Sequence, residues 1–242
     1  MRDPIGTVAF MNNQYKALII GATGATGRSL VRQLVESDHF SEIAVIVRRE
    51  LEEWLTISKD KLKVYVVTSM DELASGDWSV LDGYDACFNT LGTHIIAPKQ
   101  QMKTVNLDYA VLSGKLARES GIRYYGYLSG MGANPNHFIY LAKVKGMAES
   151  KLAEMGFEHV TTFRIRSIRD RNNENDVRLM DRILALIPFK ALSLETRDLA
   201  TVLEYDSLFH LNKDNPDYGV SVLSGGDMAS ILKRTAGLRL QT

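Results

Sequence analysis

The chain has 242 residues, 45% of them apolar, with 29 Lys plus Arg balanced by 29 Asp plus Glu. That length and apolar share suit a single α/β domain with a sizeable core and exclude wholesale disorder. Zero net charge gives no basic footprint for nucleic acid or an acidic membrane surface. The lone Cys87 rules out an internal disulfide and fits a reducing, cytoplasmic setting.

Residues 1–15 read as an N-terminal arm, without the apolar centre of a secretion signal. No apolar run approaches the ~18 residues needed to span a bilayer, so no membrane association is expected. Lys16–Ile20 is a short apolar strand. It breaks into Gly21-Ala22-Thr23-Gly24-Ala25-Thr26-Gly27 and then into an amphipathic helix running to about Ser37. Strand, glycine turn and helix in that order make a dinucleotide cradle, with Gly21, Thr23, Gly24, Ala25, Thr26 and Gly27 against the cofactor. Gly21 allows the sharp turn, Gly24 lets a pyrophosphate approach the backbone, and Gly27 allows close helix packing. Free amides at the helix start complete the phosphate site.

Glu42–Val47 is a second buried strand, followed at once by Arg48 and Arg49. An acidic residue at that place would bind a ribose 2′-hydroxyl, whereas two guanidinium groups suit a 2′-phosphate. NADP(H) is therefore favoured over NAD(H). Lys63–Val67 is a third strand, Asp71–Ala74 a short helical turn, and Tyr84–Asn89 a fourth strand. Cys87 in that strand reads as a small buried hydrophobe. The loop after it, with Leu91, Gly92 and Thr93, falls over the cofactor; His94 just beyond reads as a solvated loop residue.

A helix with one apolar face is predicted over Met102–Ser120, ended by Gly121. Strand five covers Arg123–Leu128, a further helix about Phe138–Met155, and strand six His159–Ile165. Residues 166–242 form a less regular substrate-side part. Charged 166–178 reads as a loop, 178–187 and 196–209 as helices, 213–217 as a turn, 219–223 as an edge strand and 228–235 as a last helix. The whole reads as one doubly wound parallel α/β sheet of Rossmann type, with a small C-terminal substrate-side extension. No metal is expected. The helices after strands four and five offer a face for a homodimer.

Three side chains gather after strands five and six: Ser129, Tyr140 and Lys145. Carbonyl–alcohol hydride transfer needs a proton donor beside the oxygen, and a phenol serves if an ammonium lowers its pKa. A serine at the strand end can hold the same oxygen.

At this point the chain resembles the short-chain dehydrogenase/reductase superfamily in its atypical, NmrA-like branch, and most closely the Tat-interacting oxidoreductase family. The resemblance is carried by Gly21–Arg28, by Arg48 and Arg49, by Asn89–Thr93, by Val105–Tyr109, by Leu128 and Ser129, by Gly132 and Ala133, and by Val144-Lys145-Gly146. It covers residues 15 to 165 well and the last third poorly. It implies an NADP-binding Rossmann domain with a serine–tyrosine–lysine site and Lys145 beside the nicotinamide ribose.

This sequence departs from that pattern. The family's tyrosine lies four residues before its lysine; here that residue is Leu141, and Tyr140 lies five before Lys145. Five residues turn a regular helix through about 140°, so Tyr140 and Lys145 share a face only across a π-bulge or a frayed first turn. Gly130 follows Ser129 where the family often has a second serine, Arg164-Ile165-Arg166 replaces an Arg-Pro-Gly turn, and Thr68 stands at an expected aspartate. Two readings follow: an NADP-dependent oxidoreductase acting on a small carbonyl or alcohol, or a regulator or scaffold that keeps the cofactor without turnover.

Overall fold

The computed structural model describes residues 14–168, 193–212 and 219–239. The arm up to residue 13, the helix expected over 178–187 and the turn at 213–217 lie outside them. Among the described residues a seven-stranded sheet runs in the order β3-β2-β1-β4-β5-β6-β9, every pairing parallel. Its strands are β1 (Tyr15–Ile20), β2 (Phe40–Val47), β3 (Leu62–Val66), β4 (Ala86–Asn89), β5 (Tyr124–Gly130), β6 (His159–Ile165) and β9 (Gly219–Leu223). The short β7 (Ser167–Ile168) and β8 (Ser193–Leu194) pair separately beyond the end of β6. The order reverses between β1 and β4, and that switch point is where open α/β sheets bind ligands.

The strands read as near-continuous apolar runs because helices cover both faces. On one face α1 (Ala25–Glu36) and α5 (Thr196–Leu211) pack with Ile19, Val45 and Phe163 from the sheet. On the other, Leu18, Ile20, Cys87 and Tyr125 meet α3 (Tyr109–Glu119) and α4 (Tyr140–Ala153). Cys87 is fully buried as expected, and burial pushes its thiol well up. The final helix, α6 (Gly225–Arg239), is longer than predicted; Ser224 donates from both its N–H and its hydroxyl to Asp227.

Two elements differ from expectation in ways that shape the site. The helix expected from Met102 begins at Lys99 as α2 (Lys99–Lys103), because the Pro98 carbonyl accepts the Met102 N–H at 2.9 Å. It continues through a π-helical turn, Thr104–Asp108, into α3. The spacing of Tyr140 and Lys145 places such a turn in α4 instead. That helix is α-helical from Tyr140 to Ala153, so the π-bulge that would align Tyr140 with Lys145 is not there.

Candidate functional site

The glycine turn is built from backbone geometry. Gly21 has φ +87°, and a Cβ there would lie 2.8 Å from the Leu91 nitrogen. A Cβ at Gly27 would collide with the Gly21 carbonyl oxygen and come within 2.7 Å of the Ala22 Cα. Gly24 differs: a Cβ would meet only the Gly21 oxygen, at 3.3 Å, and would otherwise project into open cleft. Gly24 is also the N-cap of α1, which carries no capping side chain and no acid in its first turn. The first amides of α1 are thus left for an anion.

Side chains then lock the loop after β4 onto this turn. Thr90 Oγ1 donates to the carbonyls of Ile20 at 3.1 Å and Gly21 at 3.2 Å. Buried Asn89 accepts the Leu91 N–H at 3.0 Å and donates to Ser113 and Tyr125. Asn106, in the π-helical turn, donates to Thr93 Oγ1 and to the Met102 carbonyl, both at 2.8 Å. Its own carbonyl accepts the Tyr127 hydroxyl at 2.9 Å. Burial, helped by Glu149, raises the Tyr127 phenol far above its ordinary range, so it stays a neutral donor. The Asn106 side chain thus serves the carbonyl that a regular helix would bond four residues on, which accounts for the wide turn.

Two adjoining cavities lie along the carboxyl ends of the strands. The outer one, about 820 Å³, is lined by Arg48, Met70, Thr104, Val105 and Tyr109 together with the apolar end of β2. The inner one, about 420 Å³, is lined by Gly24–Thr26, Ser129, Leu141, Lys145 and Arg166. Gly21, Thr23, Leu91, Gly92, Thr93 and His94 border both. Every predicted cofactor residue except Gly27 and Arg49 lines one or the other. Gly27 is packed under the turn, and Arg49 is exposed beside Arg48. Among the described residues no carboxylate lines either cavity.

Ser129 and Lys145 line the same inner cavity. Ser129 is 2% exposed, and its hydroxyl finds no partner among the described residues. Lys145, 8% exposed, donates to the Leu128 carbonyl at 3.0 Å and stands 5.3 Å from the Tyr127 ring centre. Tyr140 does not join them. It is the first residue of α4, and Lys99 Nζ lies 5.7 Å over its ring. Leu141, four residues before Lys145, occupies the cavity wall instead. The pattern missed Thr90, Asn106 and Arg166, and it read His94, which borders both cavities, as merely solvated. A histidine directly after the small-residue loop that follows β4 was the available signal.

A pyrophosphate-bearing dinucleotide fits these residues. The open approach at Gly24 and the uncapped start of α1 face the cleft, and Ser129, whose hydroxyl has no partner among the described residues, lines it. The profile of the NAD(P)H-binding family matches residues 21–204. The chain belongs to that family. This NAD(P)H-binding chain is 31% identical over 158 residues to rat Protein HTATIP2, covering 64% of this chain and 63% of that protein. It is 30% identical over 151 residues to Protein FMP52, mitochondrial, of Eremothecium gossypii, covering 61% and 64%. The match therefore spans less than two thirds of the length of these curated relatives.

Among solved structures, a putative NAD-dependent epimerase/dehydratase from Bacillus halodurans superposes with TM-score 0.63 at 18% identity, over 91% of this chain and 99% of that one. The Bordetella bronchiseptica enzyme WbmH in complex with NAD+ gives TM-score 0.63 at 16% identity, over 93% and 82%. At such identities the likeness is one of fold. Among the described residues no helix is long and apolar enough to cross a membrane.

Proposed function

We propose that this NAD(P)H-binding chain is an NADP(H)-dependent oxidoreductase acting on a small carbonyl or alcohol. The observation that carries the reading is the cleft itself. It runs from Arg48 at one end, over the glycine turn, to Ser129 and Lys145 at the other, with no lining carboxylate among the described residues. The amides at Gly24–Thr26 hold the pyrophosphate, Arg48 with Arg49 binds the 2′-phosphate, and Lys145 lies toward the nicotinamide ribose. A bound nicotinamide supplies hydride chemistry. Ser129 donates its otherwise unused hydrogen bond to the substrate oxygen, which polarises the carbonyl.

Titration with both cofactors tests the binding half. NADPH should bind more tightly than NADH, and R48A/R49A should cost NADPH about ten- to a hundredfold, the worth of one or two hydrogen bonds to a charged group. Equal affinities in the parent would remove the 2′-phosphate assignment. A screen of small carbonyl substrates tests the rest.

Tyr140 favours a second reading, a cofactor-binding regulator without turnover, since a leucine stands where the phenol should act. NADPH binding with no substrate turned over would select it. The compartment we propose is the cytoplasm; the names of the fungal FMP52 relatives make the mitochondrion the competitor, and imaging of the tagged chain decides.

A further inference from the structure

We propose that His94 is the proton donor and acceptor of this site, in the place that the displaced Tyr140 leaves vacant. The inference rests on the oxidoreductase reading above. When a carbonyl carbon gains a hydride from a reduced nicotinamide, its C–H bond forms and the C=O π pair moves to oxygen. That oxygen must take a proton to leave as an alcohol. The carbonyl is reduced by two electrons, the nicotinamide is oxidised by two, and a side chain gives up the proton.

The inner cavity offers few side chains for that task. Among the described residues that line it there is no phenol, thiol or carboxylate; the ionisable groups are His94, Lys145 and Arg166. Arg166 carries a guanidinium, which does not release a proton near neutrality. The Lys145 ammonium is already engaged with the Leu128 carbonyl at 3.0 Å. The Ser129 hydroxyl can hold an oxygen, but an aliphatic alcohol is far too weak an acid to give up its proton near neutrality. The phenol of Tyr109 borders the outer cavity only.

An imidazole both gives and takes a proton around neutral pH. His94 is half-buried and borders both cavities, each of which opens to solvent, so water can reprotonate it. Its loop is held at both sides. Thr93 is bound by Asn106 at 2.8 Å, and the His94 carbonyl accepts the Ala97 N–H at 3.1 Å. The charged or titratable groups sharing its cavities are Arg48, Tyr109, Lys145 and Arg166.

The test is an NMR titration of the five histidines, with the His94 signal assigned by its loss in H94Q. It is run on the full chain saturated with NADP+ and again with NADPH. The oxidised nicotinamide carries a positive charge that opposes an imidazolium beside it. The His94 midpoint should therefore fall in the NADP+ complex by about half a pH unit or more, while His39, His137, His159 and His210 stay put. In parallel, H94Q should lose about a hundredfold or more in kcat, far more than any change in NADPH Kd, and the alkaline-side limb of the pH profile for carbonyl reduction should vanish. Equal His94 midpoints in the two complexes, or parental kcat in H94Q, would overturn the assignment. Failure of the parent chain to bind either cofactor is a separate outcome, and it overturns the oxidoreductase reading together with this one.

Discussion

Gly24 and Gly27 belong to one turn, yet a side chain fails at each for a different reason. At Gly27 a Cβ strikes the Gly21 carbonyl, so Gly27→Ala strains the fold and should cost about 1–3 kcal/mol. Gly24 has extended backbone (φ −77°, ψ 167°) that valine adopts readily, and its Cβ would meet only the Gly21 oxygen. Gly24→Val should therefore keep the melting temperature within a few degrees and lose both NADPH and NADH, measured by thermal melts beside cofactor titration. Ser129 makes the same separation of stability from function. Its hydroxyl is buried without a partner among the described residues, and such a group costs folding energy until a ligand satisfies it. Ser129→Ala should raise stability by up to ~1 kcal/mol in urea unfolding and lower turnover by about a hundredfold or more. Unchanged turnover would remove Ser129 from the chemistry.

At the scale of elements, the frame of α4 decides which side chain enters the cavity. Helix α4 is regular from its first residue, so the face of Lys145 is shared by Leu141 and not by Tyr140. Exchanging the two, Y140L with L141Y, puts a phenol four residues before Lys145 on the cavity wall. In the H94Q background that swap should recover turnover by about tenfold or more, with an optimum moved to higher pH, as a tyrosine acid requires. This frame was legible in the sequence, because a spacing of four against five needs only the helical period. The β1–turn–α1 unit was legible for the same reason, each glycine answering a steric demand of the chain itself. The π-helical turn at Thr104–Asp108 was not. It goes with the Asn106 side chain taking the Met102 carbonyl while Tyr127, 21 residues away in sequence, takes the Asn106 carbonyl, and an asparagine inside a helical pattern does not by itself announce that pair of contacts. The role of His94 was hidden likewise: a loop histidine reads as solvated until the fold sets both halves of the cleft against it.

Across the whole molecule, two helical layers enclose the sheet so fully that phenols lie inside it. Tyr124, Tyr125 and Tyr127 of β5 are at most 1% exposed, and Tyr84 is 2% exposed. Each has a partner: Tyr124 donates to Asp206 at 2.7 Å, Tyr84 to Glu42 at 2.6 Å, Tyr127 to Asn106, and Tyr125 joins Ser113 at 2.8 Å. Burial, foremost, raises all four phenols above the ordinary value of 10.0, with nearby carboxylates adding to the effect at Tyr84, Tyr124 and Tyr127. The folded chain therefore keeps protons that the unfolded chain releases above about pH 10, and stability falls as pH rises past that point. Below it the contribution is fully present. Each phenol contributes a slope of about 1.4 kcal/mol per pH unit, and several acting together exceed a typical domain stability of about 5–15 kcal/mol within a few units. Urea midpoints should hold steady from pH 7 to 9 and drop steeply beyond pH 10, with the buried phenolate absorbance appearing together with loss of the far-ultraviolet signal. Phenolate appearing near pH 10 in a chain that stays folded would show that these tyrosines are not sealed between the layers.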